Sequence, residues 1–189
     1  SDFKHRPALD IQSYAINSAK YLMSSGFIPA SLEEAYRTLS RDLIAKVESA
    51  FAKVDYSPIR IHGDCHPGNI LWRQDAPHFV DFDDARNGPA IQDLWMLLSG
   101  DRQQKTEQIS EVLEGYREFC DFNLAELALI EPLRTLRIMH YSAWLARRWH
   151  DPAFPMTFPW FNTERYWAEH ILELREQMAA LDEPSLAIF

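Results

Sequence analysis

Midway along the chain, residues 57–88 interrupt an otherwise helical pattern. Short strand-like pieces, Ile59-Arg60-Ile61, Ile70-Leu71-Trp72 and His78-Phe79-Val80, alternate there with Gly, Pro, Asn and Asp. Apolar runs this short, bounded by turn formers, read as strands framing polar loops. Any fold for this sequence must therefore carry a small β-rich insert within a helical body. The expected class is α+β, mostly helical, with a β-hairpin at the insert.

The flanking segments carry helical periodicity. Residues 31–53 place Leu32, Ala35, Leu39, Leu43, Val47 and Phe51 at three- and four-residue steps, and Ser31 with Glu34 predicts a capping box. Residues 11–24 predict a helix with a weaker stripe, closed by Gly26 and Pro29. After Pro89, helices are predicted over 91–98, 107–119, 124–148 (continuing through Pro132) and 164–181. The last carries Trp167, Ile171, Leu174, Met178 and Leu181 on one stripe, read as core. Residues 151–160 hold three prolines and three aromatics, which predicts a rigid extended connection, with a substrate-groove lining as the alternative. A chain of 189 residues with 47% hydrophobic content can bury one core, so a single domain over 1–189 is expected.

Charge narrows the partners. With 19 Lys+Arg against 28 Asp+Glu, the net charge of −9 opposes sequence-independent attraction to nucleic acid or an anionic membrane. It leaves room for a nucleotide, because such a site works through local donors and a bound cation. Cys65 and Cys120 form no spaced cluster and read as reduced thiols. The first ten residues hold no signal-type apolar core, and no window approaches the roughly 18 apolar residues of a membrane span. A soluble, cytoplasmic monomer is expected.

The insert holds the chemistry. Asp64 and Asn69 stand five apart, and Gly63 and Gly68 give the loop freedom to turn both side chains inward. Asp81 follows Asn69 by twelve residues, so a hairpin would return it beside Asn69. Phosphoryl transfer from ATP asks for such a set: a carboxylate to orient the attacking hydroxyl and accept its proton, and hard oxygen ligands for Mg²⁺. Asp64 fits the first role, and Asn69 with Asp81 the second. Each residue alone is an ordinary turn former. The ordered set between strand-like flanks is what points to chemistry. A metal-dependent hydrolase built on His62, Asp64, His66, Asp81 and Asp83 is an alternative, although the other histidines lack ligand spacing.

The string His62-Gly63-Asp64-Cys65-His66-Pro67-Gly68-Asn69-Ile70-Leu71, then Val80-Asp81-Phe82-Asp83, Gly88-Pro89 and Asp93-Leu94, resembles the aminoglycoside phosphotransferase and choline kinase group of kinase-like enzymes. The resemblance implies the C-terminal catalytic lobe of that fold, with ATP as co-substrate and Mg²⁺ as cofactor. It also implies Asp64 as catalytic base, Asn69 and Asp81 as Mg²⁺ ligands with Asp83 as the alternative, and Asp93 as a structural acid bracing the catalytic loop. His62 reads as a loop-bracing side chain, while His66 stays open between bracing and touching phosphate. Arg86 is expected in a structural ion pair, with Asp83 or a phosphate oxygen as candidate partners. Cys65 is expected to be a small buried filler.

The runs QDLWMLL, IEPLRTLRI, AWLARRW and DPAFP extend the resemblance to a branch of bacterial stress-response protein kinases. That branch implies Ser/Thr hydroxyls of proteins as acceptors, with a small alcohol such as an aminoglycoside, choline or homoserine as the runner-up. The chain departs from the group's pattern in having no G-x-G-x-x-G loop and no strand-borne nucleotide-binding Lys before Asp64. It is therefore expected to lack the N-terminal nucleotide-binding lobe and to have little activity alone. A noncatalytic binding module is the remaining alternative.

Overall fold

The computed structural model describes residues 3–188. A π turn at Gln12–Ile16 runs into α1 (Asn17–Ser25), followed by α2 (Glu33–Phe51), β1 (Ile59–Ile61), β2 (Ile70–Arg73), β3 (Ala76–Phe79) and β4 (Arg86–Gly88). The remainder is α3 (Ile91–Trp95), α4 (Arg102–Arg117), α5 (Ile130–Arg148), α6 (Ala153–Thr157) and α7 (Glu164–Ala180). The chain divides into two compact units. One takes the chain up to Leu9, Lys53–Ile130 and the stretch from Pro184 onward; the other takes Asp10–Ala52 and Glu131–Glu183. Among the described residues no helix is long and apolar enough to cross a membrane.

The second unit is helical. Gly26 adopts φ 73° and ends α1, as a left-handed C-terminal residue does. α2 buries Tyr36, Ser40, Leu43 and Val47, a face rotated from the expected stripe, with Leu39 only half-buried on its flank. α7 buries Trp167, His170, Ile171, Leu174 and Gln177, while Met178 and Leu181 are half-buried. Each fully buried Leu or Val contributes roughly 1.5–3 kcal/mol by leaving water, which identifies the α7 stripe as core.

Two local expectations fail here. Ser31 does not cap α2: residues 29–32 form a turn, with the Leu32 amide donating to Pro29 O at 2.8 Å, and the helix starts at Glu33 without a side-chain cap. Glu34 instead meets Thr38 at 3.3 Å and Arg37 at 3.4 Å. Residues 151–160 are not an extended connection, because Ala153–Thr157 forms α6. The Asp151 carboxylate accepts the Ala153 amide at 2.9 Å, and Pro155 lies within the first turn, where its missing N–H costs nothing. The aromatics do pin the segment, with Trp144 5.2 Å from Phe154 and Phe158 5.8 Å from Trp160, centroid to centroid.

The first unit carries the insert. β1 and β4 pair antiparallel, Ile59 opposite Gly88 and Ile61 opposite Arg86. The polar Arg-Asn-Gly sequence of β4 hides it from any apolar-pattern reading. Residues 3–9 lie along the other edge of β4 as a strap: the Leu9 amide donates to Asn87 O at 2.7 Å and the Asn87 amide to Pro7 O at 3.2 Å. β2 and β3 form a hairpin in which Ile70 faces Phe79 and Arg73 faces Ala76. Its turn residues Gln74 and Asp75 both have positive φ, 53° and 59°, as a two-residue turn matching strand twist requires. α4 starts five residues before its expected start, because Asp101 and Gln104 form a reciprocal capping box.

Candidate active site

The loop after β1 hangs on one carboxylate. Asp93, in the first turn of α3, accepts the His62 amide at 2.6 Å and the Gly63 amide at 2.9 Å, one on each oxygen. Burial pushes the Asp93 carboxyl above its usual range, and the two amides oppose that shift. The neighbouring Gln92, 3% exposed, donates to Gly63 O at 3.1 Å and accepts from the Trp95 indole at 3.1 Å. Two adjacent residues of α3 thus fix both the amide and the carbonyl of Gly63.

His62 braces from within. Its Nε2 lies 2.8 Å from Val80 O, which can only accept, and its Nδ1 receives the Asp64 amide at 3.3 Å. Both contacts require the neutral Nε2–H tautomer. The ring also lies 4.7 Å from that of Phe82. One histidine therefore links the loop bearing Asp64 to the segment bearing Asp81.

Asp64, half-buried, leads into a tight turn. His66 Nδ1 accepts the Gly68 amide at 3.0 Å and caps the short turn Pro67–Asn69, while its Nε2 lies 3.6 Å from the Asp64 carboxylate. His66 thus braces this turn through Nδ1. Asn69, 9% exposed, donates its side-chain amide to Asp64 O at 3.0 Å. That bond orients the amide group so that Oδ1 is the atom left for a cation.

The hairpin then brings the third residue round. Val80 donates its amide to Asn69 O at 3.0 Å, extending the β2–β3 ladder by one pair and starting Asp81 next to it. Asp81 has φ 63°, a left-handed conformation costing a non-glycine residue roughly 1–3 kcal/mol, and its side chain makes no cap bond to the turn Phe82–Asp84 that follows. Strain of this kind persists where surrounding bonds over-determine it, and here they do. Arg6 Nη1 donates to Asp83 O at 2.8 Å. Arg86 donates to Asp84 O at 2.7 Å and pairs with the Asp84 carboxylate at 2.8 Å. The ion pair expected of Arg86 thus forms with Asp84 rather than Asp83. Gly63, at φ 86°, passes so close to this turn that a Cβ on it would lie 2.3 Å from Asp84 O.

The donors fit a hard divalent cation of the Mg²⁺ type, which takes few protein oxygens and completes its shell with phosphate and water. Asn69 offers an oriented amide oxygen, and Asp81 and Asp83 offer exposed carboxylates, with the Asp83 carbonyl held by Arg6. Among the described residues no three of His, Cys, Asp and Glu converge as a metal-binding group. Cys65 is buried and its thiol is pushed up to about 11, chiefly by burial and then by Asp93 and Asp64, which keeps it protonated. Gln92, Arg6 and Asn87 escaped the sequence reading. Gln92 had one signal, its place directly before Asp93 in a helix start, whereas the side chains of Arg6 and Asn87 bind main-chain atoms of their partners and leave no pattern.

Comparison with known proteins bears on this geometry. Residues 2–130 match the model of the phosphotransferase enzyme family. Stress response kinase A of Escherichia coli O157:H7 is 49% identical over 186 residues, covering 98% of this chain and 56% of the relative. The serine/threonine protein kinase RdoA of Salmonella typhimurium is 45% identical with the same coverage. The chain thus spans a little over half the length of these relatives. Among solved structures, a spectinomycin phosphotransferase in complex with ADP and spectinomycin shares the fold at a TM-score of 0.56 and 13% identity, over 93% of this chain and 58% of its own.

Proposed function

The chain belongs to the phosphotransferase enzyme family, and from that premise we propose that it supplies the catalytic and cation-holding part of an ATP-dependent protein kinase. Asp64 orients the acceptor hydroxyl and takes its proton as the oxygen bonds to the γ-phosphorus and the bond to the bridging oxygen of ADP breaks. Asn69 and Asp81 would hold Mg²⁺, with Asp83 as the alternative ligand. The bound ion supplies charge neutralisation on the transferring group. Asp93, His62 and His66 keep the loop in register, so that positioning and fixed dipoles carry most of the rate.

The observation that most supports this reading is the 3.0 Å bond from the Asn69 amide to Asp64 O, which ties the base and a cation ligand into one rigid turn. The names of relatives at 49% and 45% identity favour a Ser/Thr hydroxyl of a protein as acceptor, in a stress response. The chain has no G-x-G-x-x-G loop, so activity of this portion alone is expected to be low.

The test is transfer of labelled phosphate from ATP with Mg²⁺ to a generic protein and to a panel of small alcohols, using the natural full-length form. Protein labelling is expected, and Asp64→Asn should lower turnover by roughly 10²–10⁴-fold with the fold unchanged. Labelling of small alcohols alone would overturn the acceptor assignment, and a near-normal rate for Asp64→Asn would remove the base.

A further inference from the structure

Among the described residues, the turn that carries Asp81 and Asp83 is reached from outside the insert by one side chain, that of Arg6. The strap of residues 3–9 is stitched to β4 by Asn87, which uses every hydrogen-bonding group it has. Its amide donates to Pro7 O, its carbonyl accepts the Leu9 amide, its Oδ1 accepts the Phe3 amide at 2.7 Å and its Nδ2 donates to Phe3 O at 2.9 Å. The Arg60 guanidinium lies 5.7 Å over the Phe3 ring, adding a cation–π contact at the same end. Between these fixed points Arg6 reaches out and donates to Asp83 O.

That carbonyl sits two residues after the strained Asp81 and next to Asp84, whose own carbonyl is held by Arg86. With Val80 O bound by His62, three carbonyls of residues 80–84 are gripped by three side chains, and the Asp81 carboxylate is left out of the bracing. Two of the braces, His62 and Arg86, come from within the insert. Arg6 alone comes from a segment more than seventy residues away in sequence.

We propose that Arg6 is a positioning residue for the cation site: it holds the turn that presents Asp81 and Asp83, acting through the Asp83 carbonyl and not through contact with substrate. The inference rests on reading Asn69 and Asp81 as the cation ligands. Arg6 is exposed and supports no core, so its removal should leave the fold intact while loosening the turn. A lysine can restore one donor to the same carbonyl, with less directional control than a guanidinium.

The experiment is Mn²⁺ binding followed by electron paramagnetic resonance, with Mn²⁺ as a hard-cation probe that needs no turnover, on this chain and its Arg6→Ala, Arg6→Lys and Asp81→Ala variants. Arg6→Ala is expected to weaken Mn²⁺ roughly three- to tenfold, the scale of one charge-assisted hydrogen bond discounted for exposure. Arg6→Lys should recover most of that loss, and thermal midpoints should stay close for both. If Arg6→Ala binds Mn²⁺ as well as the unaltered chain while Asp81→Ala does not, the positioning role is overturned and the cation site stands. If Asp81→Ala leaves binding unchanged, the ligand assignment fails and the inference falls with it.

Discussion

Replacing Gly63 with alanine tests the close approach on which the site geometry depends. The residue sits at φ 86°, and an added Cβ would lie 2.3 Å from Asp84 O and 3.1 Å from Asp84 C, both main-chain atoms that cannot rotate away. A left-handed conformation costs a non-glycine residue roughly 1–2 kcal/mol, and overpacking a filled position costs about 1–3 kcal/mol more. Together they predict a loss of about 2–5 kcal/mol in the unit that carries the insert. For a chain of this length that is a drop in thermal midpoint of roughly 5–20 °C by calorimetry. Gly26→Ala is the matched control: its φ is 73° but nothing lies within 4 Å of the new Cβ, so only the smaller conformational cost applies. Amide exchange over residues 62–64 and 80–86 should accelerate in Gly63→Ala and stay unchanged in Gly26→Ala. Equal midpoints for the two variants would refute the argument, because the contact with Asp84 would then contribute nothing.

Other consequences follow from burial. Cys120 is exposed and Cys65 buried with its thiol near 11, so at pH 8 a maleimide or iodoacetamide should label Cys120 alone, and both residues only after denaturation. Glu126, 4% exposed, accepts the Ile91 amide at 3.1 Å, and burial raises its carboxyl above the ordinary range, outweighing that bond. A raised folded pKa means the unfolded chain releases its proton first, so this group's contribution to stability is full at acid pH and is lost as pH rises through the raised value. Urea unfolding between about pH 4 and 7 should therefore show a shallower decline for Glu126→Gln than for the unaltered chain, and parallel slopes would contradict the assignment.

The helices were legible because their signal is periodic and repeated. Four turns of α7 state the same face, so an error at Met178 or Leu181 does not change the reading. Boundaries were less legible, since one competing local bond moves them: the turn before Leu32 cancels the Ser31 cap, and Asp101 with Gln104 starts α4 early. α6 was hidden because three prolines argue against a helix unless each falls where no amide is needed, as Pro155 does. Within the site, the residues with distinctive chemistry, Asp64, Asn69, Asp81 and Asp93, stood out by type and order. The residues that hold them by main-chain atoms did not, because a carbonyl belongs to every residue and marks none.

The β2–β3 hairpin is open to solvent on both faces, with Trp72 72% exposed at its middle. Of the chain's six tryptophans, those at 95 and 167 are buried, 144 and 149 are half-buried and 160 is 44% exposed, so Trp72 is the most solvent-exposed of the set and the difference between the unaltered chain and Trp72→Phe isolates its emission. Trp72 thereby becomes a natural optical reporter. Anything that settles on the ribbon should shift its fluorescence to the blue and shield it from acrylamide, and a Trp72→Phe chain supplies the background to subtract.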